Sequence, residues 1–346
     1  MSKHTDLNKR MKNIISSNNN VSLFPDFPTK NLLIEVTNMC NNRCIFCGNR
    51  KMLRKKGFIK YKIVENALKQ AFELGMREVG FYATGEPLLD KNIFDYINLA
   101  KSIGYNYIYI TTNGLLLNKE VFKKLVANGL DSIKLSINAI DKEKYYFIHG
   151  VDKYNEVLKN LKDICNIKRK ENLDIKIYVS YIATKYTDED KSKIINTFNC
   201  CDEVVIVNVR NQSGMTPEVE SYLKCSSKAG KIESQRPLPC FYPFKSVNVT
   251  YEGYLTACCS DFENMLVYGD LSQESMKDAW QNNYITMLRN KHLNNNLKGT
   301  LCDNCIYNCK LIPKPIRSDI PFNIDDINDD TEVKERIRKY LKGEMG

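Results

Sequence analysis

The run Cys40-Asn41-Asn42-Arg43-Cys44-Ile45-Phe46-Cys47 puts three thiols in one short loop, and no other stretch constrains the chain as tightly. An apolar segment, Leu32-Leu33-Ile34-Glu35-Val36-Thr37, leads straight into it, so the loop is expected to begin where a buried strand ends. Thiolates hold iron–sulfur clusters, and three in a tight loop can take three corners of an iron–sulfur cube. The fourth iron is then open to a small-molecule ligand or served from far away. The spacing by itself also suits a zinc loop or three unrelated thiols.

From 31 to about 210 the sequence alternates between two periodicities. Strands rich in Ile, Val and Tyr are expected at 32–37, 78–83, 106–112, 131–137, 174–182 and 203–209. Helical patterns fall between them, near 60–75, 91–103, 118–129, 153–170 and 188–199. Such alternation implies parallel βαβ units, and six strands suit an incomplete barrel better than eight-stranded closure. The reactive face of such barrels is the C-terminal end of the strands, where the cysteine loop lies. A second signal follows the second strand, Ala83-Thr84-Gly85-Glu86-Pro87: a glycine for close backbone approach, a carboxylate, and a proline fixing the exit. Thr111-Thr112-Asn113-Gly114 ends the third strand and Leu135-Ser136-Ile137-Asn138 the fourth. Polar residues capping strand ends are the alternative reading of these positions.

The Cys-x3-Cys-x2-Cys spacing, with Phe46 before the last cysteine, resembles the radical S-adenosylmethionine (SAM) superfamily. The resemblance implies that Cys40, Cys44 and Cys47 hold a [4Fe–4S] cluster whose open iron binds SAM. Gly85 and Glu86 match the superfamily's Gly-Gly-Glu-Pro motif, with Thr84 in place of the first glycine, and Glu86 would receive the SAM ammonium. Phe46 would project toward the adenine, and Asn113 and Ser136 would contact the SAM ribose or carboxylate. Relatives often have Asp where this chain has Asn138. Glu35, a lone carboxylate in an apolar strand, either meets substrate or SAM or is a satisfied interior group. Arg210 ends the sixth strand and could face an anionic group. Arg54 and Gly57 resemble a segment that relatives carry after the cluster loop. His149 has no assigned role.

From about 236 the composition changes. Two short alternating runs around Glu252-Gly253 read as a β-hairpin, with Cys240 at one end and Cys258 at the other, and Cys302-Asp303-Asn304-Cys305 follows a helix around Trp280. Two plus two cysteines could equally be a structural zinc site. The pattern looks like the SPASM/Twitch extension of radical SAM enzymes. By that resemblance Cys240, Cys258, Cys302 and Cys305 hold one auxiliary [4Fe–4S] cluster, with Cys259 and Cys309 as spares. The expected fold is therefore α/β: a partial (β/α)6 TIM-like barrel with a small C-terminal iron–sulfur domain containing a β-hairpin. Its expected divisions are an arm at 1–30, the barrel at 31–212, a linker at 213–235, the auxiliary domain at 236–312 and a charged tail with a final helix at 313–346.

Thirteen cysteines without a signal-like apolar run argue for metal or redox chemistry in the cytoplasm rather than a disulfide framework. Cys165, Cys200, Cys201 and Cys225 stand apart and read as small buried hydrophobes. No segment is apolar enough to span a bilayer. The net charge of +10 is dispersed over helix faces without a basic–aromatic stripe, so nucleic acid is not an expected partner. The resemblance implies reductive cleavage of SAM and hydrogen abstraction from a small-molecule or peptide substrate, with an external donor of the flavodoxin or ferredoxin type. The leading expectation is a small or sugar-like molecule, phosphorylated or nucleotide-linked, acted on by a dehydrogenase, dehydratase or epimerase. A maturase of ribosomally made peptides is the second, and a zinc-binding nucleic-acid module the third.

Overall fold

A computed structural model describes residues 21–214, 216, 238–307, 309 and 311–320, with Glu335, Lys339 and Lys342. Strand and helix alternate as β1 (Leu32–Ile34), α1 (Tyr61–Glu73), β2 (Glu78–Phe81), α2 (Ile93–Ile103), β3 (Tyr107–Thr112) and α3 (Lys119–Ala127). They continue as β4 (Ser132–Ser136), α4 (Lys142–His149), α5 (Tyr154–Lys170), β5 (Lys176–Ala183), α6 (Lys191–Thr197) and β6 (Glu203–Asn208). The six strands pair in parallel in chain order, which is the expected partial barrel, left open rather than closed.

Local chemistry sets the element ends. Asn118 and Asp141 cap α3 and α4 by accepting from the backbone N–H three residues on, and Gly104 ends α2 at φ 111°. The buried face of α1 is Val64, Ala67, Leu68 and Ala71, spaced to lie on one side of a helix. Parallel strands covered by helices need continuous apolar runs on that side, and Phe81, Ile110, Ile133, Leu135 and Ile177 supply them.

The C-terminal segment is joined to the barrel sheet. It contains α7 (Tyr242–Lys245), β7 (Val247–Val249), β8 (Tyr254–Thr256), β9 (Val267–Asp270), α8 (Met276–Gln281), α9 (Asn283–Leu293) and α10 (Leu301–Tyr307). β7 pairs in parallel with β1, matching Leu32 to Val247 and Ile34 to Val249, and β8 and β9 follow antiparallel. The expected hairpin is present, with Gly253 at φ 98° in its turn. The sheet thus runs β6-β5-β4-β3-β2-β1-β7-β8-β9.

A buried charge network locks this junction. Arg54 Nη2 lies 2.7 Å from both oxygens of Glu35, while Nη1 donates to Asn264 Oδ1 at 2.7 Å and to Glu252 at 3.3 Å. Glu263 accepts from the backbone N–H groups of Leu53 and Arg54 at 2.7 and 3.0 Å. Burial pushes the Glu263 carboxyl up to about 7, the backbone donors and Arg54 opposing it.

The arm is seated at its end: Trp280 Nε1 donates to the Pro25 carbonyl at 3.1 Å and Phe27 meets the Trp280 ring edge-on. Most of the expected linker and the expected final helix lie outside the described residues, as does Cys225. Among the described residues no helix is long and apolar enough to cross a membrane.

Arg54→Met should destabilise the fold by about 3–5 kcal/mol, because Glu35 is left buried without its counter-charge. Arg54→Lys should not restore it, since an ammonium cannot bridge both oxygens as a guanidinium fork does. Urea unfolding would measure both, and a wild-type midpoint for either would contradict the role given to this network.

Candidate functional site

The cysteine loop is fixed by its backbone. Arg43 and Ile45 N–H donate to the His149 and Ile148 carbonyls, both at 2.9 Å, so the loop lies along the end of α4. Cys47 N–H donates to the Cys44 carbonyl at 3.1 Å, and Cys47 Sγ accepts from Asn49 N–H at 3.4 Å. Asn49 in turn ties the loop down through the Asn38 and Thr84 carbonyls at 2.7 and 2.6 Å. His149, unassigned from sequence, sits against the trio: Nε2 is 2.7 Å from the Ile137 carbonyl and Nδ1 is 3.1 Å from Cys44 Sγ. A carbonyl only accepts, so Nε2 carries a proton. Burial pushes the Cys40 thiol up to about 12, with Cys47 and Glu86 adding to the rise.

Beside this loop, Gly85 has no room for a side chain. A Cβ there would lie 2.3 Å from the Thr37 carbonyl oxygen and 2.5 Å from that of Met39. The close approach lets Glu86 N–H donate to Met39 O at 2.8 Å. The Glu86 carboxylate is buried and accepts from Thr112 Oγ1 and Asn113 N–H, both at 2.7 Å, and from Leu88 N–H at 3.1 Å. Burial nevertheless pushes it up to about 7. Asn113 Nδ2 reaches Asn41 Oδ1 at 2.5 Å, joining the third strand end to the cysteine loop. Cys40, Cys44, Cys47, Gly85, Glu86 and Asn113 are thereby brought together.

The remaining expected residues are distributed differently. Ser136 faces Ser180, Oγ to Oγ at 3.2 Å, one strand further along. Asn138 adopts φ 58° and accepts from Ile182 N–H at 2.8 Å, a left-handed position that asparagine tolerates. Phe46 packs with Ile45, Phe147, Ile148 and Val209 in a small apolar cluster. Glu35 has both oxygens engaged by Arg54, with Thr84 Oγ1 and Tyr251 N–H donating as well. It is a satisfied interior carboxylate, one of the two alternatives the sequence left open. Arg210 follows the end of β6.

The four C-terminal cysteines meet in one place. Cys240, Cys258, Cys302 and Cys305 all line one small cleft, together with Ser213 and His292. Ser213 Oγ lies 3.2 Å from Cys258 Sγ, and Asn211 Nδ2 donates to the Cys305 carbonyl at 3.0 Å. His292 Nδ1 accepts from Cys240 N–H at 3.4 Å, which leaves its proton on Nε2, buried with no partner among the described residues. Burial pulls this imidazole down to about 4. Cys259 and Cys309 do not line the cleft; Cys309 Sγ donates to Asn304 Oδ1 at 3.2 Å. Among the described residues no three His, Cys, Asp or Glu are grouped to hold a single metal ion. A cubane, which takes one thiolate per iron corner, does not require that convergence.

The sequence profile of the radical SAM superfamily matches residues 34–198, and that of the SPASM iron–sulfur cluster-binding domain matches residues 240–306. The chain belongs to the radical SAM superfamily. A curated relative, the probable GTP 3′,8-cyclase of Saccharolobus islandicus, is 28% identical over 175 residues, 49% of this chain and 52% of that one. The chain spans about half the length of the curated relatives it matches. BtrN in complex with AdoMet and 2-DOIA superimposes at a TM-score of 0.54 with 18% identity, covering 81% of this chain and 94% of that one. Streptococcus suis SuiB bound to precursor peptide SuiA gives 0.60 with 15% identity, covering 81% and 70%. These likenesses establish the shared fold.

Radical SAM proteins with SPASM domains carry [4Fe–4S] clusters and use SAM, and the residues here fit both. Thiols that burial holds protonated are the groups that iron, as the missing positive charge, converts to thiolate ligands. Glu86 lacks a counter-charge in the same way, and a ligand ammonium would supply one. The carboxyl prefers its proton in the folded state up to about 7, whereas an exposed one ionises near 4.5. The Glu86 contribution to SAM-free stability should therefore fall as pH rises from about 4.5 to about 7 and then level off, while the depressed His292 contributes in the opposite direction between about 4 and 6.5. Glu86→Gln should remove that contribution and leave those of Glu263, Asp90, Glu252, Asp261 and His292 in place; thermal melts of the variant and the wild type across the range would test it, an identical pH dependence counting against this assignment.

Proposed function

We propose that the chain is a radical SAM oxidoreductase acting on a small or sugar-like substrate, phosphorylated or nucleotide-linked, with one auxiliary [4Fe–4S] cluster accepting an electron. The observation that carries this is the pairing of two cysteine sets in one fold, a trio at the strand ends and a quartet around one cleft. Cys40, Cys44 and Cys47 would hold the SAM-binding cluster, and Cys240, Cys258, Cys302 and Cys305 the auxiliary one. When bound, the first cluster supplies the electron for reductive cleavage of SAM to methionine and a 5′-deoxyadenosyl radical.

The protein's share is positioning and exclusion of water. The backbone bonds of Arg43 and Ile45 to α4 hold the ligand loop at one depth. Gly85 lets the second strand end close on that loop, and Glu86 and Asn113 join it to the third, where the SAM ammonium and carboxylate would be received. If all four cysteines around the cleft ligate, they would close every corner of a cubane, which favours electron transfer over substrate binding there. The relative named as a GTP 3′,8-cyclase, a name that specifies a nucleotide, and the likeness to BtrN support the small-molecule reading. The likeness to SuiB, solved with a precursor peptide, supports a peptide maturase as the second.

Anaerobically reconstituted protein should contain about two cubanes per chain and form 5′-deoxyadenosine with SAM and a strong reductant. The Cys40/Cys44/Cys47→Ala triple variant should keep about one cubane and form none. Product formation by that variant, or an iron-free wild type, would refute the assignment. Faster SAM consumption with nucleotide sugars than with a labelled precursor peptide would select the first substrate class; the reverse would select the second.

A further inference from the structure

Parallel strands send alternate side chains to opposite faces. On β4, Ile133 and Leu135 are fully buried on the helix side. Ser132, Lys134 and Ser136 point the other way: Ser132 accepts from Tyr107 Oη at 2.7 Å, and Ser136 meets Ser180. The register sets Lys134 level with Thr111 on β3 and Tyr178 on β5. Tyr82, Tyr109, Thr111, Lys134, Ser136 and Ser180 all keep partial solvent access, although they lie in the middle of the sheet. The inner face at these positions is therefore partly open to solvent, on strands whose ends carry the cysteine loop.

Lys134 is the cation of that face. Its Nζ lies 5.7 Å from the centre of the Tyr82 ring, which sits 5.9 Å from Tyr109. The other group that influences it is Cys259, next to the cleft-lining Cys258. Among the described residues no carboxylate pairs with it and no oxygen accepts from it. The buried guanidiniums do find acceptors, Arg54 in Glu35 and Asn264 and Arg289 in the Pro243 and Trp280 carbonyls, although Arg54 Nε and Arg289 Nη2 have none among the described residues. Burial pulls the Lys134 ammonium below the usual lysine range, as expected of a charge without a partner.

We propose that Lys134 reads an oxyanion on the substrate, receiving a single carboxylate or phosphate group on the tyrosine-lined inner face between the cysteine loop and the C-terminal cleft. This rests on taking the inner face as the substrate chamber of a SAM-cleaving enzyme. A lone ammonium with three donors suits one such group, while the tyrosine rings cover the neutral part of the same molecule. A partly desolvated charge with no ion-pair partner among the described residues adds little to the ligand-free fold, so the lysine is better explained by an anion that arrives than by stability.

The test uses the cluster-loaded, SAM-bound protein under anaerobic conditions, with acetylation of lysines followed by peptide mass spectrometry. Inorganic phosphate or acetate, each against chloride at constant ionic strength, should slow labelling of Lys134 at least about tenfold and leave the exposed Lys69 unchanged. Protection by phosphate alone identifies a phosphate group, and by acetate alone a carboxylate. No protection by either overturns the proposal. Lys134→Met should weaken binding of the protecting anion by about tenfold or more and leave the ligand-free melting temperature no lower. A lower melting temperature with undiminished anion binding would mark a structural lysine and overturn it. Because protection is read without turnover, an anion-protected Lys134 in a chain that fails to cleave SAM would overturn the enzyme and leave the anion site standing.

Discussion

The Arg54 guanidinium is the hub on which the two halves of the molecule depend. It is buried against Glu35 from the first strand and reaches Glu252 and Asn264 from the hairpin. Two charges this deep are stable together and unstable apart, so the contact fixes the hairpin's position relative to the first strand. The β1–β7 pairing adds backbone bonds along the same seam, with Glu35 N–H donating to the Val249 carbonyl at 2.9 Å. The front cysteine loop leaves one side of the seam and the cleft-lining cysteines the other, so the spacing of the two sets is set by buried polar contacts.

The front site shows a second constraint, that its ligands are held by main chain. Carbonyls of α4 and of Thr84 and Asn38 define the loop, while Gly85 and the left-handed Asn138 allow the backbone to approach where a larger or stiffer residue could not. Desolvation holds Cys40 and Glu86 toward their protonated forms, and at Cys40 the nearby Lys56 only partly offsets it. Iron and an ammonium-bearing ligand would supply compensating charge there, and on the inner face Lys134 has no ion-pair partner among the described residues.

Much of this was legible from residue order. Each of the six barrel strands lies within the segment read from its Ile, Val and Tyr content, except that Lys176–Ala183 runs one residue past 174–182, and the helices follow the 3.6-residue spacing. The missed helix, Lys142–His149, is short and only weakly amphipathic, so periodicity gave it little signal, yet it carries the carbonyls and imidazole that hold the cysteine loop. His292 was invisible for another reason: its partner Cys240 lies 52 residues away, and no local pattern marks such a pair.

Sequence by itself determined the front trio of cysteines, the alternation that builds a parallel sheet, and the glycine and carboxylate after the second strand. These are short-range facts, written in spacing and residue type. Tertiary structure alone decided that β7 would extend the barrel sheet, that Glu35 would spend both oxygens on Arg54, that four of six late cysteines would share one cleft, and that Lys134 would face the inner side with no ion-pair partner among the described residues. Those outcomes depend on which distant groups burial brings into contact, and charge compensation acts through space rather than along the chain.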